Sequence, residues 1–175
     1  MKNAQTYLES ALHQFKYYRS VAEKTFAQLT DEQLFWQYNA ESNSVAMIVQ
    51  HISGNMLSRW TDFLTSDGEK EWRNREAEFD TVIKNRDEMI AEWDKGWQCL
   101  FDAINPLTDD DLNKIVLIRA ETHSVAEAIN RQLAHYPYHI GQIVFIGKML
   151  AGDQWKSMTI PRGKSQAFND KMFGR

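Results

Sequence analysis

His135 and His139, in the run RQLAHYPYHIGQIVFIGKML, stand four residues apart. On an α-helix that is about one turn, so both imidazoles leave one face with Cβ atoms roughly 5–6 Å apart. Both rings can then bind one transition-metal ion at about 2.0–2.1 Å each. No Lys, Arg, Asp or Glu occurs from Gln132 to Gly147, so the pair lies in an apolar, core-type segment. An unsatisfied polar group buried there costs about 1–3 kcal/mol, and a metal ion is one partner that removes this cost.

Two histidines make a weak centre. The third candidate is His51, in the second charge-free segment IVQHISGNM, where its neighbours one turn away are Met47, Ile48, Gly54 and Asn55. His51 therefore borders an apolar stripe, and helices packed about 8–10 Å apart would bring it against the pair. Three neutral imidazoles suit Zn, Ni or Fe(II) and leave coordination positions open for water or substrate. Spacing alone leaves two readings open, a metal site and a set of hydrogen-bonded core histidines.

Other constellations are excluded. His123 precedes His135 by twelve residues, about 18 Å along a straight helix, and His13 reads as surface. The segment between His135 and His139 lacks the glutamate of a zinc-protease HExxH helix. No Glu-x-x-His pair recurs on two helices, which disfavours a carboxylate-bridged di-iron centre. Gly163-Lys164-Ser165 imitates the end of a phosphate-binding loop, but Met158 stands where its first glycine is needed. Cys99 is the only cysteine and reads as a small core residue.

The elements that must position these residues are four long helices. The first spans about 4–29, with Leu8, Leu12, Phe15, Ala22, Phe26 and Leu29 inward. The second starts after Asn43 or Ser44 and runs to about Leu64. A charged surface crossover through EKEWRNREAEF leads to the third helix, about 86–104, which Pro106 closes. Ile115–Ile118 reads as a short strand, too short for a sheet. The fourth helix opens at the capping box Ser124–Glu127, ends at Gly152, and contains Pro137, which is expected to bend it. The expected fold class is all-α, a four-helix bundle, as one domain over 1–175 with an irregular tail from about 152.

The composition, 43% hydrophobic and 25% charged with net charge −4, is that of a globular protein without a general nucleic-acid footprint. No apolar leader or membrane-length run is present, so a cytoplasmic protein without membrane contact is expected.

NSVAMIVQHISGN followed by a late HxxxHxGQI (His135, His139, Gly141, Gln142) resembles the DinB-like superfamily of damage-inducible bacterial proteins. YLESALHQFKYYRSVAEK and the tail IPRGKSQAFN are similar to one subfamily known only as a domain of unknown function. The resemblance covers essentially the whole chain. It implies an up-down-down-up bundle, a homodimer, and a divalent transition metal (Zn, Ni or Fe) on His51, His135 and His139.

Characterised relatives include bacillithiol S-transferases and a mycothiol-dependent maleylpyruvate isomerase. The implied activity is thus a metal-dependent thiol S-transferase, with a low-molecular-weight thiol such as bacillithiol as cofactor and a small electrophile as partner. The alternative is a non-catalytic, stress-associated metal-binding bundle. Gln142 is a candidate for orienting a ligand, with helix packing as its other role, and Asn55 is a candidate for lining the cavity. Arg59 and Arg131 read as solvated or salt-bridged, attraction of a carboxylate-bearing thiol being their other role.

Overall fold

Each long helix begins at a side chain that satisfies orphan backbone donors. The computed structural model describes residues 6–80 and 83–175. In α1 (Tyr7–Phe26) Thr6 and Glu9 form a reciprocal capping box, as Thr30 and Gln33 do for the short α2 (Asp31–Phe35). Ser44 caps α3 (Val45–Trp60), Asn85 caps α4 (Arg86–Ile104), and the Ser124–Glu127 box opens α5 (Val125–Ala151). The chain is mostly helical, consistent with an all-α class. No helix among the described residues is long and apolar enough to cross a membrane.

The four long helices pack in pairs: α3 against α4 and α5, and α1 against α5 and α4. Their shared interior is aromatic. Phe15, Phe26, Trp93, Trp97 and Tyr136 are buried and meet largely edge to face, for example Phe26 and Trp93 at 5.3 Å between ring centroids. Helices α3 and α4 touch at Gly96, where a Cβ would lie 3.0 Å from the Cα of Ser53.

Several boundaries differ from expectation. Thr6 is extended, so α1 starts at Tyr7; residues 4 and 5 lie outside the described part. It stops at Phe26 because Thr30 already caps the next helix. Helix α3 ends at Trp60 rather than near Leu64, since Thr61 is extended and Asp62 has φ 50°. Helix α5 runs through Pro137 as a single element. After Gly152 the chain also forms a further helix, α6 (Ser165–Phe173), which its weak periodicity did not announce.

The strand at Ile115–Ile118 is present as β1, but it is not alone. It pairs antiparallel with β2 (Glu121–Ser124) in a hairpin turning on Arg119 and Ala120. Both turn residues have positive φ, 57° and 61°, a conformation that usually calls for Asn or Gly. The carboxylate of Asp67, far away in sequence, accepts from both backbone amides at 2.8 and 2.7 Å and holds the turn.

Gly96→Ala is expected to destabilise the fold by about 1–3 kcal/mol through overpacking against the Ser53 backbone. Urea denaturation would read this as a lower midpoint at unchanged slope; an unchanged midpoint would mean that α3 and α4 separate freely.

Candidate metal centre

His51, His135 and His139 converge, with one ring nitrogen from each lying within 4.8 Å of the others. Helix α3 supplies the first and α5 the other two, one turn apart. His51 is buried, while His135 and His139 are half-buried. The Nε2 atoms of His135 and His139 are 3.1 Å apart. Neighbouring ligands of one ion at about 2.0–2.1 Å are separated by roughly 2.9–3.4 Å for octahedral to tetrahedral angles, so the spacing of this pair fits a shared cation.

The other side of each ring is occupied. His51 Nδ1 lies 2.8 Å from Glu78 Oε2, His135 Nδ1 3.2 Å from Gln132 Oε1, and His139 Nδ1 3.2 Å from Gln142 Oε1. When these oxygens accept, each ring is protonated at Nδ1 and Nε2 keeps its lone pair for a metal. Oriented imidazoles of this kind are what a borderline cation such as Zn, Ni or Fe(II) requires.

Burial first, and then the neighbouring His139 and His51, lower the pKa of His135 from 6.5 to about 3. The pKa of His139 is also lowered, chiefly by burial with His51 adding to it, against the opposing hydrogen bond to Gln142. Both rings are therefore neutral, as ligation needs.

Glu78 was not foreseen. It lies in a 3-10 turn (Glu76–Phe79) of the crossover assigned to the surface, yet its side chain is only 7% exposed and that of its partner Arg73 only 3%. Arg73 donates to both Glu78 oxygens, at 2.7 and 3.0 Å. Burial opposes the charge on Glu78, but the hydrogen bonds from His51 and Arg73 outweigh it and hold the carboxyl below its ordinary pKa. Gly54 makes room for this arrangement, because a Cβ there would come within 2.5 Å of Glu78 Oε1. Phe79 then stacks on the His51 ring at 5.1 Å between centroids.

Gln132 was likewise missed, although the symmetric spacing Gln132-x-x-His135-x-x-x-His139-x-x-Gln142 was a usable signal. Asn55 is buried and accepts from the Tyr136 hydroxyl at 3.1 Å, while that hydroxyl accepts from Trp60 Nε1 at 3.0 Å. Asn55 also lines a small cavity beside His51 and His135. Arg59 is neither solvated nor salt-bridged, as the sequence suggested. It is 3% exposed, and its Nε and Nη1 have no hydrogen-bond partner. Arg131 is exposed on the cavity rim. His123 lies in β2, outside the cluster, and His13 is on the surface.

Among protein families, the model described as Protein of unknown function (DUF1572) matches residues 2–164. No curated protein matches the chain.

Glu78→Gln and Gly54→Ala should each weaken metal affinity about 10–100-fold by releasing the His51 ring. Competition against a coloured chelator measures this; wild-type affinity in both variants would remove Glu78 from the centre. In metal-free protein the depressed pKa of His135 means that, between pH 6.5 and about 3, the unfolded chain binds more protons than the folded one. Stability contributed above 6.5 is therefore lost as the pH falls through that window. Urea midpoints across it should decline less steeply in His135→Gln than in wild type.

Proposed function

This chain belongs to the DUF1572 family of proteins of unknown function, and from its three-histidine centre we propose that it is a divalent-metal-dependent enzyme transferring a low-molecular-weight thiol to an electrophile. The observation that carries this reading is the division of ring nitrogens: each Nδ1 is engaged from behind by Glu78, Gln132 or Gln142, which leaves each Nε2 free to converge. We also assign the long helices to a DinB-like four-helix bundle in up-down-down-up order, supported by the pairing of α1 with α5 and α4, and of α3 with both.

His51, His135 and His139 would hold the ion, and three protein ligands leave positions for a substrate. When bound, a divalent cation supplies Lewis acidity that lowers the pKa of a thiol presented to it. The cavity beside the histidines is lined by no carboxylate, and Glu78 is committed to His51 and Arg73. Such a site favours a nucleophile that needs no protein base, and a thiol suits it better than water. In the transfer a sulfur–carbon bond forms, the bond to the leaving group breaks with its electron pair departing on that group, and the thiol proton passes to solvent. Gln132 and Gln142 keep the α5 imidazoles in one tautomer throughout.

Metal analysis of purified protein should find stoichiometric divalent metal, lost in both His51→Ala and His135→Ala while helical circular dichroism is retained. Thiol transfer from bacillithiol or a related thiol to a reactive haloarene or epoxide should depend on that metal. Stoichiometric metal with no transfer from any thiol tested would instead support the non-catalytic metal-binding reading. Absence of metal from reconstituted wild type would remove the centre itself.

A further inference from the structure

Five arginines, Arg59, Arg73, Arg75, Arg119 and Arg131, line a cavity of about 170 Å³ whose wall also includes His51 and His135. They come from separate parts of the chain: the last turn of α3, the crossover, the β1–β2 turn and α5. Such convergence costs electrostatic repulsion, and few acids offset it. Glu78 is shared between Arg73 and His51, and Glu69 between Arg73 and Arg119 at 3.6 and 3.0 Å. Among the described residues Arg59, Arg75 and Arg131 have no carboxylate within 4.0 Å.

Arg59 makes the point sharpest. A guanidinium stays charged in a protein and carries five donors, so it needs acceptors wherever it is buried. Its Nε and Nη1 have none, although the residue is only 3% exposed. The side chain is held there by design of the backbone: Gly68 lies so close that a Cβ would sit 2.7 Å from Nη1. Gly68 in turn is fixed by its amide, which donates to the Leu117 carbonyl of β1 at 2.8 Å.

We propose that this cavity binds an oxyanion group, carboxylate or phosphate, of a small-molecule substrate and sets the remainder of that molecule against the three histidines. Guanidinium forks match both anions in bidentate geometry, and among the described residues Arg59, Arg75 and Arg131 have no carboxylate partner competing for them. The proposal names the substrate class of the centre described above and rests on that reading for its role in catalysis; anion binding itself does not require the metal.

Isothermal titration of metal-loaded full-length protein with succinate and, separately, inorganic phosphate tests it at low ionic strength. The expected result is saturable binding of at least one, the tighter anion identifying the group. Arg131→Gln and Arg75→Gln, both on the exposed rim, should each weaken that binding about tenfold with metal content unchanged. Arg59→Gln should abolish it; the rim variants keep the test decisive where that variant does not fold. Failure of both anions to bind, or wild-type affinity in both rim variants, would overturn the proposal. Protein stripped with phenanthroline, a neutral chelator, separates the two readings. Anion binding retained without metal supports the arginine site whatever becomes of the metal centre, whereas metal-loaded protein with no anion affinity leaves the centre standing alone.

Discussion

The Nε2 atoms of His135 and His139 approach to 3.1 Å while the Nδ1 atoms of the same rings face glutamine oxygens. With both Nδ1 atoms protonated, two lone pairs point at one another, and only a proton or a metal cation between them turns that contact from repulsive to attractive. Burial holds the pKa of His135 at about 3, so at neutral pH a proton is not the ready answer. A metal cation would satisfy both lone pairs, and His51 from α3 would complete its surroundings. The centre is thus defined as much by what the outer nitrogens are doing as by the presence of three histidines.

That geometry depends on how α3 and α5 are rotated against each other, and the core sets the rotation. Tyr136, next to His135, is fully buried and links Trp60 and Asn55 of α3 through its hydroxyl. A fully buried phenol must find polar partners, and Asn55 and Trp60 lie about one and two and a half turns beyond His51 on the same helix. The aromatic interior of Phe15, Trp93 and Trp97 packs against the other side of this contact. Core packing and ligand placement are therefore one constraint rather than two.

Much of this was legible in the chain. Ser44 and the Ser124–Glu127 box announce helix starts because capping is local chemistry, and His51 stood out because its neighbours are apolar. What escaped was set by tertiary contact. Glu78 lies 27 residues from His51 within a charged stretch whose composition describes a surface. Arg59 is buried by Gly68 and the segment around it, which no periodicity encodes. Arg119 and Ala120 are poor turn residues, and the hairpin forms because Asp67 accepts from their amides across a separation of 52 and 53 residues.

The crossover between α3 and α4 is tied down at both of its working ends, by Asp67 to the hairpin and by Glu78 and Phe79 to the His51 ring. It is a connection rather than a core element, and such segments open locally more readily than the packed helices beneath them. An ion held by the histidines would be bound through a His51 ring that Phe79 stacks on and Glu78 orients. The orientation of that ligand would then depend on this strap being in place, and the hairpin that anchors the strap through Asp67 would act on the centre from a distance.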